Sequence, residues 1–267
     1  MSLSSSLSSV SPRHLRLSLL PWLFLLCENA LLSEFRPAVA SALGSDDLYL
    51  YLYAWGSTMA SGAVLYGYCM VRGRGPFLVV TPARRAAGAL LQAAGLVGFS
   101  QLAPPLRAPF EAVTEAPSLS AGVTGPPLAL RCPFDFSPPT ASAPAPTGIA
   151  RVSRNAPLYS LASLSLGSAL LSPSLPAALC LSGPLLIAAA GGAHRDSRLR
   201  RGIGGSFPPG FEARTSSVPF LAMLEGRQGG GAFGRLGEEG RGWNAALAAA
   251  VAGGLALRRG RAKAASW

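Results

Sequence analysis

"LYLYLYAWGSTMASGAVLYGYCMV" (residues 48–71) contains no charged residue. It opens on Tyr49, Tyr51, Tyr53 and Trp55, ring types that favour a membrane–water boundary. A bilayer crossing takes about 20 mostly apolar residues, so Leu48–Val71 is expected to be a membrane helix. Four further runs flank it. Leu17–Leu32 is apolar but carries Glu28 and Asn29. Ala86–Leu106 is uncharged and bounded by Arg84, Arg85 and Arg107. Ala156–Leu171 and Leu175–Ala193 follow, with Pro173 and Pro176 marking the turn between them. The expected fold is all-α, an integral membrane helical bundle of about five spans.

Composition agrees. Of 267 residues 49% are hydrophobic and only 13% charged, against about 25% charged in an ordinary soluble domain. The net charge of +11 comes from arginine, Lys263 being the only lysine. The arginines cluster at the ends of apolar runs, as membrane flanks do. Aromatic residues do not interleave with them, so no nucleic-acid surface is expected. The lipid bilayer is the expected partner. Cys27, Cys69, Cys132 and Cys180 form no C-x-x-C pair and read as small buried hydrophobes.

The chain divides into five parts. Residues 1–16, Ser/Leu-rich with Arg13 and Arg16, are either a targeting segment or the positive flank of the first span. Residues 17–106 hold spans one to three. Residues 107–147, ending "SPPTASAPAPTG", read as an unstructured linker. Residues 148–228 hold spans four and five and a basic tail. Residues 229–267 hold a Gly-rich tract and "WNAALAAAVAGGLAL" (243–257), a peripheral helix or weak extra span. The Gly-rich stretch 226–242 is expected to be flexible. Small residues in "GSTMASGAVLYG" (56–67) and "LGSALL" (166–171) would let helices approach closely. The positive-inside rule places Arg13, Arg16 and the Arg72–Arg85 loop on one side. Five crossings then place the Arg195–Arg201 cluster on the other, so topology stays open.

Several motifs are excluded. "GGGAFG" (229–234) matches G-x-G-x-x-G without a preceding strand and reads as linker glycine. The chain has no H-E-x-x-H and no G-x-S-x-G, and its histidines are His14 and His194 alone. A Ser/His/Asp hydrolase site is therefore not expected. His194 reads as a polar residue facing headgroups.

Two strips carry more. "TGIARVSRNAPLYS" (147–160) leads into span four, and "HRDSRLRRGIGGSFPPGFEARTSSVPFLAMLEGRQ" (194–228) leaves span five. Their residues resemble the NnrU family, and within it the 15-cis-zeta-carotene isomerase branch. Gly148, Ile149, Arg151, Ser153, Arg154 and Asn155 align with a family Gly-Ile-x-Arg-x-Thr-Arg-His pattern. Asp196, Arg198 and Leu199 align with its Asp-Arg-Arg-Leu. The tail matches most specifically, through Phe211-Glu212, Arg214-Thr215-Ser216, Val218-Pro219-Phe220 and Gly226-Arg227-Gln228. The likeness covers roughly residues 20–228, apart from the proline-rich insertion.

The resemblance implies a plastid membrane protein that isomerises a carotenoid polyene from cis to trans, with haem b held by histidines. Here Glu28, Asn155 and Ser168 stand at the three histidine positions. Cys27 beside Glu28 offers a thiolate in place of imidazole. Glu28 reads either as a carboxylate reaching water from a half-inserted span or as a buried one facing span four. An isomerase with altered haem ligation and a non-catalytic membrane protein that kept the fold without haem both remain open. The tail is expected to lie at the interface, with Arg214 and Arg227 on lipid phosphates or helix carboxyl ends. Phe220, Leu221 and Leu224 would then take the apolar side.

Overall fold

Hydroxyl caps and prolines set where the helices begin. Ser11 Oγ accepts from His14 N–H at 3.3 Å, and Pro12 follows, opening α1 (Pro12–Glu34). α2 (Arg36–Leu43) ends on Gly44, whose φ of 69° lets the chain reverse. Ser45 Oγ accepts from Asp47 N–H at 3.1 Å, and Asp46 and Asp47 meet the positive end of α3 (Asp46–Val71). Thr81 caps α4 (Pro82–Ser100), and Ser174 caps α6 (Leu175–Arg200). Between them lies α5 (Ala156–Leu171), and α6 contains a π turn at Ile187–Gly191. Two single turns follow, α7 (Phe211–Arg214) and α8 (Leu221–Leu224), then α9 (Ala232–Glu239) and α10 (Gly242–Ala264).

These elements come from a computed structural model that describes residues 9–103 and 145–264. Residues 1–8 of the expected targeting segment, residues 107–144 of the expected linker, and Cys132 lie outside the described residues. Among the described residues the fold is all-α, and the one extended pairing is an isolated bridge between Phe77 and Ser174.

α1 and α3, α4 and α5, and α5 and α6 pair antiparallel, whereas α1 and α6 run parallel, with Ser18 against Pro176 and Ser33 against His194. α3 packs on α1, α1 on α6, α6 on α5, α5 on α4 and α4 on α10, with α3 also touching α6. Two ends result. One gathers the start of α1, the α3–α4 loop and the α5–α6 turn. There Leu78 N–H donates to Pro173 O at 2.6 Å and Ser174 Oγ to Arg74 O at 2.7 Å. The other end gathers the start of α5, the end of α6 and the tail.

Small and polar side chains fill the interior. Leu25, Ala60, Leu158, Ala162, Ile187 and Ala188 form the central apolar cluster. Around it Ser18 Oγ donates to Pro176 O, Trp22 Nε1 to Cys180 O and Ser163 Oγ to Leu91 O. The α4–α5 contact is closest. A Cβ at Gly95 would stand 2.5 Å from Leu164 N, and one at Gly167 2.6 Å from Gly88 O. The close approach expected from "LGSALL" is therefore seen at Gly167. Large apolar side chains point outward instead, with Trp55 69% and Leu90 71% exposed and Leu20, Phe24, Met59 and Leu65 among the others.

Among the described residues two helices, α1 and α6, are long and apolar enough to cross a membrane. α3 and α4 are long enough, but their small and polar residues hold their hydropathy below the same level, and α5 has 16 residues. On this measure two helices qualify, against the five spans expected from sequence. The helix that holds the fifth apolar run extends past Ala193 to Arg200. Part of the Gly-rich stretch is ordered as α9, because Glu239 in it finds a strong partner.

Candidate functional site

The residues expected to carry chemistry fall into three separate places. The largest is at the tail end, around the strip before α5. There a 3-10 turn at Gly148–Arg151 presents its backbone to the tail. Arg154 N–H donates to Ser216 O at 3.0 Å, Phe220 N–H to Val152 O at 2.8 Å, and Gln228 Nε2 to Arg151 O at 2.8 Å. Ser153 Oγ donates to Ser217 O at 2.6 Å.

Asn155 sits at the centre and is 1% exposed. Its Nδ2 donates to Ser217 Oγ at 2.9 Å and to Asp196 Oδ1 at 3.4 Å, and its Oδ1 accepts from Arg195 at 2.8 Å. The side chain is thus used across the interface and does not cap α5. The buried Arg154 guanidinium lies 3.1 Å from Asp196 Oδ2, a charge contact and not an aligned hydrogen bond. It also stacks over Phe207 at 5.3 Å. Burial pulls Arg154 below its ordinary value, against the pull of Asp196 and Glu212.

A second ion pair anchors α9. Arg151 grips Glu239 at both carboxylate oxygens, 2.8 and 2.5 Å, and Gly148 N–H donates to the same carboxylate at 2.6 Å. The Arg151 hydrogen bond leads in holding Glu239 down to about 2.

The tail is folded rather than laid on a surface. Thr215 is buried, its Oγ1 donating to Phe211 O at 2.8 Å. Arg227 donates to Thr215 O at 2.8 Å and Ala213 O at 3.4 Å, so it meets a helix carboxyl end, that of α7, the second of its two expected partners, and it pairs with Glu225 at 2.7 Å. Arg214 is exposed. Gly226, at φ 71°, turns the chain after α8. Pro219 is half-buried, and Phe220 next to it adopts a φ of 63°, held there by its N–H bond to Val152. Phe220, Leu221 and Leu224 are exposed, as an apolar outer side requires.

The second place is between α1 and α3. Glu28 is half-buried and accepts from Ser57 Oγ at 3.3 Å and from Asn29 Nδ2 at 2.7 Å. It packs on Gly56, so it faces α3 and not α5, contrary to the expectation of a carboxylate facing span four. The rotation of α1 about its axis decides this, and that phase is set by Leu25 and Asn29 turning inward. Asn29 Oδ1 in turn accepts from Tyr53 OH. Cys27 and Cys69 are exposed, against the expectation of buried cysteines, and Cys180 is buried as expected. His194 does not face outward as a headgroup residue. It turns onto α1, with Nε2 3.1 Å from Ser33 Oγ, beside a cleft of about 10 Å³ lined by Asn29, Ala30 and Gly191. That is room for about one water.

The third place is Ser168. It accepts from Gln92 Nε2 at 2.7 Å and donates to Leu164 O at 3.0 Å. At about 1.5 Å rise per residue, it stands roughly 20 Å along α5 from Asn155. Glu28, Asn155 and Ser168 therefore do not converge. Each is occupied by protein partners and none is an imidazole or thiolate, so these positions do not fit a haem, and no step is derived through one. Among the described residues no group of three His, Cys, Asp or Glu side chains is gathered for a metal.

Arg195 and Ser217 complete the Asn155 lock, and Glu239 completes that of Arg151. Arg195 and Ser217 lie inside the two quoted strips, but nothing in their spacing marks their partners. Comparison with known proteins found no matching family, curated protein or solved structure.

Proposed function

We propose that this chain is an integral membrane protein with the architecture of the isomerase branch of the NnrU resemblance, acting by binding and not by haem-dependent isomerisation. Its five helices α1, α3, α4, α5 and α6, running alternately up and down, would each cross the bilayer. Serines, asparagines and glycines buried around the apolar cluster, beneath an exterior of leucine, tryptophan and methionine, support that reading, since a water-soluble bundle does not expose so many large apolar side chains. The plastid location rests on the resemblance alone.

One observation carries the non-haem half. At Asn155, where the resemblance places a histidine, both ends of the amide are consumed by Asp196, Ser217 and Arg195. The lock therefore works as structure.

The test is a visible spectrum of the full chain, purified in detergent from a haem-replete host after carbonate washing of its membranes. The expected result is a carbonate-resistant protein without a Soret band. A stoichiometric Soret band with redox-dependent shifts would restore the isomerase with altered ligation. Release by carbonate would remove the membrane reading.

A further inference from the structure

At the end opposite the tail, a cavity of about 480 Å³ opens between the end of α3, the end of α5 and the start of α6. That is within the usual range for a small-molecule site, about 300–1,000 Å³. Its wall is divided by chemistry. Leu171, Leu181 and the Tyr68 ring supply the apolar part, and Ser168, Ser172 and Arg72 the polar part.

The charge around it is one-sided. Arg13, Arg16, Arg72, Arg74, Arg84 and Arg85 flank this end, and among the described residues no aspartate or glutamate accompanies them. At the tail end, by contrast, Arg151, Arg154, Arg200, Arg201 and Arg227 each meet a carboxylate. Arg72 is exposed and has no carboxylate partner among the described residues. The helix ends at the cavity do not oppose an anion strongly, because their carbonyls are in use. Tyr68 O accepts from Arg72 N–H, Val71 O from Arg74 N–H and Ala169 O from Ser172 N–H. The first-turn donors of α6 are also taken, Ala177 N–H by Ser174 Oγ and Leu175 N–H by Pro76 O. Arg72 is thus the one cation in the wall among the described residues.

From this we infer that the cavity is a binding site for one anionic lipid. Its phosphate would rest on Arg72, and its first acyl methylenes would lie along Leu171 and Leu181. A pure hydrocarbon polyene would leave the arginine unsolvated, so it is the poorer occupant. A free phosphate would leave the apolar wall uncovered. The inference rests on the membrane reading above, since the cavity faces the headgroup level only if the helices cross the bilayer.

The test uses the full chain in mild detergent, with lipid retention followed by native mass spectrometry and unfolding followed in parallel. Wild-type protein is expected to retain one phosphatidylglycerol and to lose phosphatidylcholine. Arg72→Gln should weaken retention about tenfold, the scale of one charge-assisted contact. Arg72→Lys should keep most of it, and Arg85→Gln, outside the cavity, should change nothing. Equal losses in Arg72→Gln and Arg85→Gln would overturn the site in favour of a diffuse basic rim. Displacement of the lipid by millimolar inorganic phosphate, or by a carotenoid hydrocarbon, would overturn the lipid assignment. A carbonate-resistant protein with no phosphatidylglycerol preference sinks this inference alone, whereas carbonate release sinks the membrane reading itself.

Discussion

Gln228 Nε2 donates to the carbonyl of Arg151 at 2.8 Å, joining residues 77 apart in sequence. That bond closes the tail over the start of α5, and the Arg227 contact to Thr215 O lies beside it. Gln228→Ala should therefore destabilise the folded protein by about 1 kcal/mol, the usual net worth of such a bond. Arg227→Glu should lower the melting temperature more than Arg214→Glu, because Arg227, though also exposed, is tied to Thr215 O and Glu225 within the clasp. Thermal unfolding of the three variants in detergent gives the order directly. An Arg214→Glu loss equal to that of Arg227→Glu would show that the tail is held by lipid instead.

Asn155→His restores the residue type that the resemblance places there. An imidazole cannot reproduce two donations and one acceptance in this buried lock. The variant should lose about 2–4 kcal/mol of stability, and it should gain no Soret band. A stable, haem-loaded Asn155→His protein would contradict the structural role assigned to the lock.

Glu239 gives a pH dependence with a definite sign. Its carboxyl is held at about 2 in the folded protein against an ordinary 4.5. A lowered folded value contributes stability that is complete above 4.5 and is lost as pH falls from there towards 2. Glu239→Gln should therefore be less stable than wild type at pH 6 and should converge with it near pH 2. Melting curves of both proteins across that range check the convergence, and a constant gap would assign the difference to packing.

Gly95→Val introduces a side chain where even a Cβ would lie 2.5 Å from Leu164 N. Backbone cannot yield as a flexible side chain would. Loss of folded yield is expected, exceeding the roughly 1–3 kcal/mol typical of overpacking. Gly62→Val, at a position with nothing within 4 Å, is the control and should fold normally.

Helix positions were legible because their signals are local. The run Ala156–Leu171 matches α5 at both ends, since Pro157 and Pro173 bracket it. α3 begins two residues before the apolar run, at its Ser45 cap. What lay beyond reading was rotation and pairing. An apolar run does not state which of its sides turns inward, so one of the two readings of Glu28 turns it to α5, whereas it faces α3. The strips at 147–160 and 194–228 were singled out by resemblance, but their joining by Arg154–Ser216 and Val152–Phe220 uses backbone groups, which every residue has. Glu239 escaped notice inside a Gly-rich tract because its partner, Arg151, is 88 residues away. The short helix α2 lay hidden between two spans for want of an apolar run of its own.

The π turn at Ile187–Gly191 has a mechanical consequence. Such a turn inserts an extra residue into an α-helix, and each residue in a helix advances the side chains by about 100°. Everything after it in α6 is clocked by that insertion, including His194 towards Ser33 and Asp196 towards Arg154. Removing Ala189 alone would swing both by about that angle and point them at the wrong neighbours, with every one of those side chains still present. The wide turn therefore acts as a phase setting, tuning two polar contacts on opposite flanks of one helix at once.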